Sequence, residues 1–358
     1  MVDLDVVADN YRAFAGALPD TRVFYAVKAN PAAEILKLLA TLGSCFDAAS
    51  VTEIEAVLAA GATPDRISFG STIKKERDIG RAFELGVRHF AIDSEAEVDK
   101  IARVAPGSHV FCRLLVDNSG ADWPLSRKFG CDEEMAVDLI ERAKRLGLVP
   151  HGVSFHVGSQ QGNPKMWDAA LGVSARVFRA CAERGIGLAM VNLGGGFPAK
   201  YMKKVPSVRQ YGDTIFRALR KHFGNALPET VIEPGRGLVG DAGVIEAEVV
   251  LISKKSKSKG ELTWVYLDIG KFGGLAETAD EAIRYPIRTS RDGDAKMPCA
   301  LAGPTCDSLD VLYEKEPYWL PISLEIGDKV LIEGTGAYTT TYSSVGFNGF
   351  SPLKQYVI

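Results

Sequence analysis

Eight short apolar segments recur along the first two-thirds of this chain, each followed by a stretch of helical character, and this alternation limits the possible folds most. The segments are VFYAVKAN (23–30), CFDAAS (45–50), RISFG (66–70), HFAID (89–93), HVFCRLLV (109–116), GVSFHVG (152–158), MVNLGGG (190–196) and TVIEPG (230–235). Between them, PAAEILKLLATLG, VTEIEAVLAAG and EEMAVDLIERAKRLG place apolar residues at i, i+3 and i+4, the spacing of an amphipathic helix. Ser50 with Glu53, Ser94 with Glu97, and Asp132 read as helix N-caps. Strands alternating with helices argue for a parallel sheet, and eight of them for a closed (β/α)8 barrel over residues 1–242. An open doubly wound sheet is the structural rival at this point.

Beyond residue 242 the pattern changes. GVIEAEVVLI, ELTWVYLDIG, PYWLPISLEIG and DKVLIEGTGAYTTTY read as strands with Gly-rich turns, which makes 243–358 a separate C-terminal β domain of the sandwich or barrel kind. The basic run SKKSKSKG (253–260) between two of these strands reads as a solvated hairpin loop. A length of 358 residues suits two domains. With net charge −3 and no apolar run near the ~18 residues that span a bilayer, neither a nucleic-acid nor a membrane partner is expected. The first residues, MVDLDVVADNYRAF, carry acids and no basic-then-apolar leader, so no signal peptide is expected. Six cysteines without a C-x-x-C pair suit a reduced, cytoplasmic protein.

In a β/α barrel the chemistry sits where the strands end. Lys28 closes the first strand, Asp47 the second, His156 the sixth, Gly194, Gly195 and Gly196 the seventh, and Glu233 with Arg236 the eighth; Arg113 lies in the fifth. Singly, each has an ordinary reading as a snorkelling lysine, a core histidine or a capping acid. Six strands presenting polar residues or glycine at one rim need another. Flanked by Tyr25, Ala26, Val27 and Ala29, the Lys28 amine is expected to be partly desolvated, which favours its neutral, nucleophilic form and Schiff-base chemistry with a carbonyl. The triple glycine permits close backbone approach, and its N–H groups, with the Pro-Gly-Arg turn at 234–236, suit a phosphate. Amine, phosphate cup, acid and flat imidazole together suit pyridoxal 5'-phosphate. G-x-x-x-x-G-K-[ST] and H-E-x-x-H are missing, GGGFP is not G-x-G-x-x-G, and no metal site is expected.

The blocks FYAVKANP, FDAAS, FHVGSQ, LGGGFP, IEPGR, GPTCDSLD and GAYTTTY, spread over residues 24–342, resemble those of the fold-type III pyridoxal-phosphate decarboxylases, ornithine/lysine group. The resemblance implies an alanine racemase-like architecture and a homodimer with shared sites. It implies Lys28 as the covalent cofactor holder, Glu233 at the pyridine nitrogen and His156 on the ring. It gives the phosphate to Ser159, Gly194, Gly195, Gly196, Gly235, Arg236 and Tyr338, with Asp47 and Arg113 at the lysine end. Cys306 of the partner subunit would be the proton donor, with Asp307 beside it for a distal amine. Asp280, or Glu277 on the same expected helical turn of the acidic insert 271–287, would wall the far end of the pocket.

Physical chemistry supports the main assignment. A carboxylate at the ring nitrogen favours its protonated, electron-withdrawing form, whereas an arginine, expected in alanine racemases, would weaken it; Glu233 therefore favours decarboxylation. Diaminopimelate decarboxylases carry CESGD where this chain has CDSLD, and Asp307 suits a bare ammonium. Relatives usually supply an earlier strand to the β domain. The expected activity is decarboxylation of L-ornithine and/or L-lysine to putrescine or cadaverine. Diaminopimelate or arginine decarboxylation, or a non-catalytic cofactor-binding regulator, are the alternatives.

Overall fold

A computed structural model describes residues 1–123, 128–257 and 261–358. All eight expected segments form strands of a closed parallel barrel: β1 (Thr21–Ala26), β2 (Cys45–Ala48), β3 (Ile67–Phe69), β4 (His89–Ile92), β5 (His109–Arg113), β6 (Val149–Ser154), β7 (Met190–Asn192) and β8 (Glu229–Ile232). They follow one another around the barrel in sequence order, and β8 closes onto β1. The open-sheet rival is thereby excluded. Phe24, Cys45, Ala91, Phe111, Met190 and Val231 cluster as a buried core within the barrel.

Capping reads unevenly from sequence. Ser50 accepts from Glu53 N at 3.2 Å, and Asp132 accepts from Met135 N at 2.9 Å, as expected. Ser94 makes no such bond. Glu97 is instead buried between Lys74 (2.9 Å) and Lys100 (2.6 Å). The spacing signalled a capping box, but a buried lysine claimed the carboxylate.

The chain forms two compact units: residues 7–198 with 205–238, and residues 1–6 and 199–204 with 239–358. The N-terminus joins the second unit because Val2 bridges to both Val357 and Gly243. That unit is a curled six-stranded sheet built from β9 (Val244–Lys254), β10 (Thr263–Leu267), β11 (Ile287–Thr289), β12 (Lys296–Ala302), β13 (Val311–Pro321) and β14 (Lys329–Glu333), in the order β11-β14-β9-β10-β12-β13. Two strand assignments shift. The strand read at 317–327 runs from Val311 and stops at Pro321, and the last strand stops at Glu333, so GAYTTTY lies in turns. β11 and β12 carry no clean alternation and were not legible. Within the basic run, Lys254 pairs with Thr263 across a hairpin, while residues 258–260 lie outside the described residues. Among the described residues no helix is long and apolar enough to cross a membrane.

Candidate active site

The rim of the first unit gathers most of the expected polar residues. Lys28 sits in a single helical turn (Val27–Ala29) that ends β1, and its Nζ lies 3.5 Å from Asp47 Oδ2. The Lys28 side chain is 47% exposed, more than its apolar sequence neighbours suggested. Asp47 is buried on β2 and accepts from Ser68 Oγ at 3.2 Å. A Cβ at Gly70 would overlap the Asp47 carboxylate, so glycine there makes room for the acid.

Glu233, just past β8, accepts a short hydrogen bond from Asn192 Nδ2, and Asn192 Oδ1 accepts from Gly194 N at 2.9 Å. Burial, and then the nearby Asp47 charge, push the Glu233 carboxyl up to about 7, while Lys28, Asn192 and Arg113 pull the other way. Burial, reinforced by the Arg113 and Lys28 charges, holds His156 well below its ordinary value, so its imidazole is neutral; its Nδ1 accepts from Gly158 N at 3.1 Å. Burial also lowers Arg113, which lies 5.0 Å from the Phe129 ring centroid.

The glycines have a reason that sequence reading missed. A Cβ on Gly194 or Gly196 would overlap the carbonyl oxygen of Phe155 or Gly158, and one on Gly195 would press on Glu233 and His156. Small size lets the loops after β6, β7 and β8 pack on one another. Behind them Phe197 stacks on Trp167 at 4.9 Å, and Trp167 Nε1 donates to Leu193 O at 3.1 Å. The packing leaves the N–H groups of Gly195, Gly196 and Gly235 without an acceptor among the described residues, and Gly195 and Gly235 are buried. Beside them Arg236 Nη2 donates to Ser159 Oγ at 3.3 Å. Buried donors seldom stay unpaired in a native protein, and a phosphate supplies the missing acceptors. The residues present therefore fit pyridoxal phosphate.

The other expected residues lie in the second unit. Tyr338 adopts a left-handed φ of 55°. Cys306 is exposed, and Asp307 Oδ1 accepts from Leu309 N at 2.8 Å. The insert is no continuous helix: an irregular turn over Lys271–Leu275 breaks at Gly274, and the 3-10 turn that carries Glu277 breaks at Ala279 and Asp280. Asp280 is therefore 93% exposed and paired with Lys315 at 3.1 Å, whereas Glu277 is buried. Two positioning residues were not foreseen. Asn192 is one. Asp310 is the other: its carboxylate accepts from Lys271 N (2.8 Å), Thr305 N (3.1 Å) and Thr305 Oγ1 (2.7 Å), fixing the 303–310 loop. Gly270 and Gly303 leave it the space. The acid before an apolar run, SLDVL, was its only signal. Asp310→Ala strands two backbone donors and should cost about 2–4 kcal/mol. Urea unfolding checks this, and a loss under 1 kcal/mol would remove the loop-fixing role.

A closed parallel barrel with a lysine, a buried acid and a cup of backbone N–H donors at its strand ends defines an enzyme that works through a phosphorylated aldehyde cofactor. Residues 4–240 match the family described as "Pyridoxal-dependent decarboxylase, pyridoxal binding domain", and the chain belongs to that family, in its ornithine/lysine decarboxylase group. It is a pyridoxal-phosphate-dependent carboxy-lyase. A lysine/ornithine decarboxylase of Selenomonas ruminantium is 36% identical, over 98% of this chain and 86% of the relative. The Vibrio vulnificus lysine/ornithine decarboxylase complexed with cadaverine superposes with a TM-score of 0.87 at 33% identity, covering 100% of this chain and 93% of that one. The Paramecium bursaria Chlorella virus arginine decarboxylase bound to agmatine gives a TM-score of 0.90 at 30% identity, covering 100% and 96%.

Proposed function

We propose that this chain decarboxylates L-ornithine, L-lysine or both, releasing carbon dioxide with putrescine or cadaverine, as a step of polyamine synthesis. The observation that carries the reading is Glu233, a carboxylate held by Asn192 at the barrel rim beside Lys28 and Arg113. Bound pyridoxal phosphate supplies the sink for the electron pair that carbon dioxide leaves behind. The chain's residues do the rest. Lys28 would hold the cofactor, with Asp47 and Arg113 beside it, and His156 would lie against the ring. Gly194, Gly195, Gly196, Ser159, Gly235, Arg236 and Tyr338 bind the phosphate. Glu233 keeps a proton on the ring nitrogen, and the Cys306 thiol returns one to the substrate α-carbon. Asp307 receives the distal ammonium, with Glu277 and Asp280 as alternatives.

Relatives acting on lysine, ornithine and arginine support a basic amino acid as substrate. One methylene separates ornithine from lysine, worth about 1–3 kcal/mol in a pocket. Carbon dioxide release measured against ornithine, lysine, arginine and diaminopimelate tests the reading. Turnover of diaminopimelate alone, or of none of the four, would refute it.

The same proposal makes the protein a cytoplasmic homodimer with no nucleic-acid or membrane partner. Six free cysteines, two of them (Cys112 and Cys131) with sulfurs 3.5 Å apart, suit a reducing compartment. In the dimer the barrel unit binds cofactor and the partner's 303–310 loop brings Cys306 and Asp307, excluding water during the reaction. The exposure of Cys306 and of Leu309 (68%) supports such docking. Lys28→Ala and Cys306→Ala homodimers should each be nearly inactive. Their heterodimer carries one doubly defective and one intact site, so mixing with subunit exchange should restore up to half the wild-type activity. Demonstrated exchange without recovery would place Cys306 in its own subunit's site.

A further inference from the structure

Three of the chain's five histidines meet at the end of the barrel opposite the strand-end rim, at positions the cofactor chemistry does not use. His89 opens β4 and His109 opens β5, and the two are register partners. Each stands two residues before a core residue, Ala91 or Phe111, so strand alternation turns both rings into the barrel. His151 reaches them through a β-bulge. The register steps from Val110–Pro150 to Phe111–Gly152, leaving His151 as the extra residue, and bulges of this kind re-aim side chains.

The three rings offer one nitrogen each, all within 4.8 Å of one another. Ring centroids are 5.0–5.3 Å apart. His109 Nδ1 is buried with no hydrogen-bond partner among the described residues, and a buried polar atom so placed takes a water or an ion as partner. A cavity of about 20 Å³ adjoins His89 and His151, room for one such occupant. Glu229 Oε2 stands 4.0 Å from His151 Nε2, offering a fourth oxygen ligand. Among the described residues lining that cavity the cation is Arg22, which donates to Cys45 Sγ at 3.2 Å.

We propose that His89, His109 and His151 bind one zinc-class divalent transition-metal ion at the floor of the barrel. The centre of a triangle with 4.8 Å sides lies about 2.8 Å from each corner, so an inward shift of about 0.7 Å per ring reaches the ~2.0–2.1 Å of a zinc–imidazole bond. Imidazole ligands with a single carboxylate select zinc, nickel or copper over magnesium or calcium. Ligands from three adjacent strands make the ion a staple. The floor of a β/α barrel governs stability rather than chemistry, so the site stands apart from the decarboxylation.

The test uses untagged holoenzyme stripped with a chelator and titrated with zinc chloride. One tight equivalent per chain is expected, unchanged in Cys306→Ser, with Tm raised by roughly 3 °C or more at about 100-fold excess over Kd. His109→Ala and His151→Asn should each weaken binding roughly 100-fold or more, with cofactor absorbance reporting that the barrel remains folded. If either variant loses that absorbance, X-ray absorption of the zinc-loaded wild type decides. Imidazole scattering at about 2.0–2.1 Å supports the site. Sulfur ligation, binding that neither histidine variant weakens, or no binding tighter than about 10 μM overturns it, and a bridging water then fills the cluster.

Discussion

Lys28→Ala should give a colourless protein that borohydride no longer links to its cofactor, with decarboxylation reduced roughly 10³-fold or more. The assignment has a real competitor in this fold. Lys74 is fully buried, and burial brings its amine down to about 8, despite Glu97. That lowering raises the neutral, nucleophilic fraction of the Lys74 amine at neutral pH. Its geometry decides against it. Nζ donates to Ser71 O and Ala91 O at 2.7 Å each and pairs with Glu97 at 2.9 Å, so all three donors are engaged and no face is open to a carbonyl. Lys28 is half-exposed at the rim, within one site with Asp47 and Glu233. Peptide mapping after borohydride reduction of the wild type should find the label on Lys28. A label on Lys74 would reverse the roles of the two lysines.

Sequence reading succeeded where one local signal decided the outcome. The eight barrel strands were legible because each is a short apolar run bounded by a turn and a helix, and the polar residues ending them inherit their placement from the fold. It failed where partners distant in sequence decide. Ser94 and Glu97 have capping-box spacing, yet Lys74, 23 residues earlier, takes the acid. Asn192 looks like one more strand residue until Glu233 is folded beside it. The insert 271–287 suggested an acidic helix, but Gly274 at φ 131° and Asp280 at φ 52° break it and turn Asp280 outward. The histidine cluster was invisible for the same reason. His89, His109 and His151 stand 20 and 42 residues apart, and only the pairing of three strands with a one-residue bulge unites them.

Glu233→Gln should lower turnover roughly 10²-fold or more with the cofactor still bound, and should also stabilise the cofactor-free protein at alkaline pH. The two effects have one cause. In the folded chain, burial and then Asp47 raise the Glu233 carboxyl to about 7, against about 4.3 when unfolded. A raised folded value contributes stability that is fully present below the unfolded value and is lost as pH rises through about 7. At pH 8 the ionised carboxylate is therefore a cost, on the order of 1–3 kcal/mol, that the neutral amide avoids while still accepting from Asn192 Nδ2. At pH 4 the carboxyl is protonated in the folded state and mostly protonated in the unfolded one, so the advantage should nearly vanish. Urea unfolding of cofactor-free wild type and variant at pH 4 and pH 8 measures the difference. Equal stabilities at pH 8 would show that Glu233 is not held ionised against its surroundings, and unchanged turnover would remove it from the reaction. If both effects appear, the strain in this carboxylate is functional: a positively charged ring nitrogen is the partner that relieves it, so binding the cofactor and keeping that nitrogen protonated are one event.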